Sequence, residues 1–212
     1  MNTFVDIHTH NPLKVNLGIA NFRLGVDKNP PQKPFSAGIH PWDTDVTKGN
    51  LATLLDQLRT INCVAIGEIG LDRACKCSWE AQLELLEAQL RIAENRGLPI
   101  ILHCVRAQAE ILSLLSHFST IPAVIFHGFI GSPEQLQELI SRGYYISFGF
   151  SALKSHKTIR AIGICPAENL LLESDASSED IATLYRAIAE IRGISIEQLS
   201  EQISSNYKRI FQ

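Results

Sequence analysis

Eight short runs of aliphatic and aromatic residues recur along the chain, and longer stretches with helical apolar spacing lie between most of them. The runs cover residues 4–8, 15–22, 35–39, 63–66, 100–103, 123–127, 144–148 and 170–173, lengths that suit strands. The segments at 51–61, 79–96, 107–118, 133–141, 159–164, 178–191 and 196–202 read as helices. Strands alternating with helices imply an α/β fold with a parallel sheet covered by helices. Eight strands favour a closed TIM-type (β/α)8 barrel, with an open doubly wound sheet as the alternative. At 212 residues the barrel is small, since about 250 is usual. The economy falls early. Between His10 and Pro34 there is room for a strand but little for two helices, so some early helices are expected to be reduced or missing. One domain over residues 1–212 is expected.

Local signals agree. The run WEAQLELLEAQLRIAENR is followed by Gly97 and Pro99, a helix stop. Ser132-Pro133-Glu134-Gln135 combines a capping serine, a first-turn proline and a capping-box glutamine. DKNPPQKP at 27–34 reads as a loop.

A 45% hydrophobic and 19% charged composition belongs to an ordinary globular protein. The net charge of −3 gives no general pull toward nucleic acid or an anionic membrane. A nucleic-acid substrate must therefore be held by a local cleft or by metal ions. No apolar run approaches a bilayer span, and MNTFVDIHTH lacks the basic start and apolar core of a signal peptide. Five cysteines, an odd number without framework spacing, are expected to be reduced thiols in a cytoplasmic protein. Cys75-x-Cys77 has no second close pair to complete a thiolate site and reads as structural.

Chemistry concentrates at strand ends. FVDIHTH ends in His8 and His10, VAIGEIG reaches Glu68, PIILHC reaches His103, AVIFHGF reaches His127, and NLLLESD reaches Glu173 and Asp175. Side chains alternate along a strand, so His8 and His10 share a face with Asp6. In parallel α/β proteins the C-terminal strand ends form the face where active sites sit. Imidazoles with carboxylates suit zinc, manganese, nickel or iron. Four histidines and two carboxylates exceed the needs of one four-coordinate ion and suggest two, with Glu68 as a candidate bridge. Two ions can activate a water and stabilise a leaving oxyanion, and Asp175 can accept the proton of that water. The reaction class that follows is hydrolysis.

Eight motifs in order carry a resemblance: DIHTH, GIHPWD, GEIGLD, LPIILHC, FHGFIGSPEQ, GYYISFG, LLLESDA and NYKRIF. Together they resemble the TatD family of metal-dependent deoxyribonucleases, within the amidohydrolase superfamily, in a shortened member. The resemblance implies that His8, His10, Glu68 and Asp175 hold one divalent ion, and that Glu68, His103 and His127 hold the second. The ions implied are zinc, manganese, magnesium or nickel. His40 matches a family histidine near the site, read either as a substrate-phosphate contact or as a packing histidine. Glu173 reads as orienting a ligand or as making a local hydrogen bond, and Asp72 as structural. His117 and His156 match nothing and read as solvated.

Two departures bear on substrate. After Asp175 the family has a proline and an extended loop, whereas SSEDIATLYRAIAEI enters a helix almost directly. The family's His-x-Arg is also altered, because HCVR puts Arg106 three residues after His103, placed either to reach phosphate or to pack against an acid. The leading expectation is cleavage of phosphodiester bonds in DNA or a nucleotide by a metal-activated water. The alternatives are hydrolysis of a small ester, amide or phosphoester, and a non-catalytic binding protein on the same barrel. Oligomeric state is left open.

Overall fold

The computed structural model of the chain describes residues 4–11, 13, 17–47 and 49–212. Its strands are β1 (Val5–Thr9), β2 (Leu17–Arg23), β3 (Phe35–Gly38), β4 (Ala65–Asp72), β5 (Ile100–Val105), β6 (Val124–Phe126), β7 (Tyr145–Phe148) and β8 (Leu170–Leu172). They stand in one sheet in sequence order, and the registers seen are parallel. The helices are α1 (Thr44–Thr47), α2 (Leu51–Thr60), α3 (Trp79–Arg96), α4 (Gln108–Leu115), α5 (Pro133–Ile140), α6 (His156–Ile164), α7 (Ile181–Arg192) and α8 (Ile196–Phe211). Among the described residues no helix separates β1 from β2 or β2 from β3. This is the TIM-type (β/α)8 fold with its early helices missing. Residues 15 and 16 of the expected second strand lie outside the described residues.

Contacts within the chain gather into two compact units: Met1–Ala20 with Ile125–Gln212, and Asn21–Val124. In the first unit, Val5, Ile7 and the three leucines of β8 are fully buried. Tyr185 of α7 docks on β1, its hydroxyl donating to the Val5 carbonyl at 2.8 Å and accepting from the Val5 amide at 3.1 Å. Asn206 of α8 donates to the Ala167 and Leu170 carbonyls, both at 2.8 Å, so a buried amide rather than apolar contact alone fixes that helix on β8. A bridge between Thr9 and Asp175 returns the segment after β8 to β1, the closure a barrel requires.

The second unit is organised by β4 and α3. The reading of residues 63–66 as a strand stops at Gly67, yet β4 continues to Asp72. Glycine there is required by close packing rather than by a turn. A methyl on Gly67 would press on Ile101, and one on Gly70 (φ +152°) would overlap the His103 carbonyl. The first unit repeats the device: Gly18 (φ +152°) lies against the Asp6 carbonyl. In both units the strand register shifts at this level.

Helix α3 starts at its Ser78 cap and ends at left-handed Gly97, as the sequence requires. It buries two glutamines. Gln82 accepts from the Asp72 amide at 2.8 Å and donates to its carbonyl at 3.2 Å. Gln89 accepts from the Ile39 amide at 2.7 Å and donates to its carbonyl at 3.1 Å. Two side-chain amides thus grip the backbone where the polar residues after β3 and at the end of β4 begin. The Ser132 capping box forms as expected. Helix α8 runs nine residues past its expected end at 202, because its last turns bury Ile203, Asn206 and Tyr207 within an otherwise polar stretch.

Candidate metal centre

In the first unit, alternation along β1 sets Asp6, His8 and His10 on one face. The chain after β8 then threads between the two histidines. The Asp175 amide donates to the His8 carbonyl at 2.9 Å, and the His10 amide donates to the Asp175 carbonyl at 3.0 Å. Asp175 takes a left-handed backbone, φ 51°, unusual for a residue with a Cβ. Its Oδ1 lies 3.3 Å from His10 Nε2 and 3.8 Å from His8 Nε2. His8 is fully buried, while a third of the His10 side chain and 44% of the Asp175 side chain are exposed. One ligand atom from each of the three lies within 4.8 Å of the others.

His127 packs its ring 4.3 Å from that of His8. Its Nδ1 faces Glu173 Oε1 at 3.1 Å, and the same oxygen accepts the Gly128 amide at 2.7 Å. A carboxylate at Nδ1 draws the proton there and leaves the lone pair on Nε2. The other Glu173 oxygen is buried with no hydrogen-bond partner. Beneath His8, Asp6 accepts from the Ser174 amide at 2.9 Å and its hydroxyl at 2.6 Å. Burial nevertheless pushes the Asp6 carboxyl up to about 6.

The second unit brings His40, Glu68 and His103 together, again with ligand atoms within 4.8 Å. Glu68 Oε1 lies 3.1 Å from His40 Nε2 and 2.9 Å from His103 Nδ1. Asn21 of β2 holds Glu68 from behind: its Nδ2 donates to Glu68 Oε2 at 3.3 Å, and its Oδ1 accepts the Glu68 amide at 3.0 Å. His103 Nε2 faces Asp72 Oδ2 at 3.0 Å, and the Trp42 indole N–H donates to the same oxygen at 2.6 Å. Burial raises the Asp72 carboxyl, but donation from Trp42, His103 and the Ala74 amide outweighs it and holds the group below the ordinary range. His40 moves down, mainly because burial disfavours its charged form. Its Nδ1 accepts the Trp42 amide at 3.2 Å, which leaves the proton on the Nε2 that faces Glu68.

Neutral imidazoles with opposed carboxylates form a donor set suited to a divalent transition ion. The pairs Glu173–His127 and Asp72–His103 are carboxylate–histidine couples of the kind that orient metal ligands. The residues present therefore fit such an ion.

The sequence-identified residues fall as follows. His8, His10 and Asp175 meet in the first unit, where His127 adjoins His8; Glu68 and His103 meet in the second. His40 is 3% exposed and turned to Glu68. Arg106 stands exposed just past β5 in a left-handed conformation, φ 53°. His117 and His156 are exposed. Asp72, read as structural, touches His103 directly; Glu68, Gly70 and Asp72 alternate on one face of β4, a signal available in GEIGLD. Asn21 and Trp42 carried no such signal.

Comparison with known proteins points to one family. The family model described as TatD related DNase matches residues 26–212. The 3'-5' ssDNA/RNA exonuclease TatD of Edwardsiella piscicida is 39% identical over 147 residues, which are 66% of this chain and 56% of that protein. This chain thus spans little more than half the length of that relative. The protein of the same name from Citrobacter rodentium is 29% identical over 199 residues, 83% of this chain and 76% of its own. The crystal structure of YJJV, a TatD homolog from Escherichia coli K12, superposes with a TM-score of 0.84 at 23% identity, covering 99% of this chain and 98% of that one.

Proposed function

The chain belongs to the TatD family, and from that premise we propose that it is a metal-dependent nuclease that hydrolyses phosphodiester bonds in single-stranded nucleic acid. Relatives named as 3'-5' ssDNA/RNA exonucleases support the substrate class. The observation that carries the reading is the donor set of the first unit, with Asp175 hydrogen-bonded into the backbone between His8 and His10.

We assign His8, His10, Glu68 and Asp175 to one divalent ion and Glu68, His103 and His127 to a second. Bound ions would supply Lewis acidity to the phosphodiester and acidify water. The protein's own groups do the rest. Asp175, the exposed carboxylate of the set, accepts the proton of the attacking water at an Oδ oxygen. Glu173 keeps the His127 proton on Nδ1, and Asp72 turns His103 by its Nε2. His40 steadies Glu68, and contact with phosphate falls to exposed Arg106.

Charge distribution supports a polyanionic substrate despite the net charge of −3. Residues 139–167 contain Arg142, Lys154, Lys157 and Arg160 and no Asp or Glu. The chain leaves β7 at Gly149, against Glu173, and runs into exposed Lys154, His156 and Lys157. Cations thus lead away from the His127–Glu173 pair, where a strand's phosphates can follow them.

Purified protein given manganese or magnesium should shorten a 5'-labelled single-stranded oligodeoxynucleotide, and His8→Ala and Asp175→Ala should each abolish this. Digestion that persists in both variants would sink the assignment, as would metal analysis showing no bound divalent ion after reconstitution.

A further inference from the structure

We propose that Trp42 is the stacking platform for the nucleobase at the scissile nucleotide. The inference rests on the nuclease reading above and adds a substrate-positioning residue to it. Half of the Trp42 surface is exposed, 51%, yet the residue is clamped on every side that is not. Its indole N–H donates to Asp72 at 2.6 Å, and its amide donates to His40 Nδ1 at 3.2 Å. Its carbonyl accepts the Cys77 thiol at 3.4 Å. The neighbouring Asp43 is held by two guanidinium nitrogens of Arg23, at 3.0 and 2.6 Å, so the turn carrying the indole is fixed as well.

Tryptophan is highly buried on average, so a half-exposed one calls for a reason. A rigid one, tied to the carboxylate that orients a proposed metal ligand, is a preorganised binding surface. Its ring lies 4.7 Å from that of His40 and 5.7 Å from that of His103 between centroids, near-perpendicular to both. Neither imidazole therefore lies parallel on the indole as a stacked base would. A flat group laid on the indole has its attached sugar and phosphate beside His103, where the proposed chemistry occurs. Bases stack on such rings with little regard to sequence, because every base has a π-face. Trp79 offers no rival platform, since the Arg73 guanidinium already covers its ring at 4.0 Å.

The test compares the metal-loaded protein and its Trp42→Ala and Trp42→Phe variants on two oligodeoxynucleotides, one ordinary and one abasic over its last three positions. Stacking predicts that Trp42→Ala loses about tenfold more kcat/KM on the ordinary strand than on the abasic one, mainly through KM, a modest share of what base–aromatic stacking contributes. Trp42→Phe, which keeps a ring but not the bond to Asp72, should restore part of that difference. Equal losses on both strands would show that Trp42 acts only through Asp72 and would overturn the proposal. A second readout does not need turnover: in Trp79→Phe, Trp42 is the sole tryptophan, and deoxyadenosine monophosphate should quench it where deoxyribose 5-phosphate does not. Failure of the unaltered protein to cut any strand counts against the nuclease reading; quenching equal for the two probes counts against the stacking platform itself.

Discussion

The two units treat their histidines and carboxylates differently. In the first, Asp175 and His10 are partly open to solvent, and two backbone hydrogen bonds tie Asp175 to the main chain of His8 and His10. In the second, Glu68 and Asp72 are buried, and the side chains of Asn21, His40, His103 and Trp42 surround them, joined at Asp72 by the Ala74 amide. The contrast separates two demands that the proposed metal chemistry makes. One part must exchange water and substrate, so it stays exposed and takes its precision from the main chain. The other must keep negative charge in a dry place, which is tolerable only when each oxygen is satisfied.

Substitutions can break this contrast. Glu68→Ala should have the largest effect, lowering activity by about a thousandfold or more and also lowering the melting temperature, because His40 and His103 lose their common acceptor. A variant that keeps its melting point would show that the buried network is not what holds the second unit. Asp175→Asn should lower activity by a comparable order while leaving stability within about 0.5 kcal/mol, as for an exposed side chain. Thermal unfolding of the metal-free forms reads that difference directly.

Asp72→Asn should weaken metal binding by about 10- to 100-fold, the usual scale for a group that orients a ligand, measurable by titration with manganese. Tyr185→Phe should destabilise by about 1–3 kcal/mol, leaving the Val5 amide and carbonyl buried without their partner, and should not change activity once the protein is folded. The smallest effect concerns thiol chemistry. Burial pushes Cys104, next to His103, up to about 11. A raised pKa means less thiolate at neutral pH, so Cys104 should alkylate far more slowly than half-buried Cys77, and faster as pH rises toward 11. Equal rates at pH 8 would mean that the end of β5 opens readily, and the second unit would lose its claim to be the closed one.

Much of this was legible in the sequence, because strand alternation and strand ends are local properties. DIHTH states that two histidines share a face, and LLLESDA places Asp175 just beyond its strand. What was not legible depends on partners far away in sequence. Asn21 sits in the strand expected at 15–22, and nothing in NFR announces that its amide will brace Glu68 of β4. Trp42 reads as an ordinary aromatic of GIHPWD until Asp72 is seen to hold it. The sequence shows a strand only at 63–66, and nothing in GEIGLD tells that Gly67 and Gly70 lie inside β4 and let a neighbouring backbone approach. The left-handed Asp175 and Arg106 are likewise invisible in residue type, since neither is a glycine.

Gln82 and Gln89 stand seven residues apart on α3, two helical turns, and grip the main chain at Asp72 and Ile39. The helix therefore works as a ruler whose unit is the heptad. Removing a single residue between the two would swing the second amide by about 100°, while adding a whole heptad at that point would return it to the same side. Natural or engineered length variation in this segment should follow that phase, and a chain that keeps only one of the two amides should hold either the turn with His40 or the end of β4 in place, but not both.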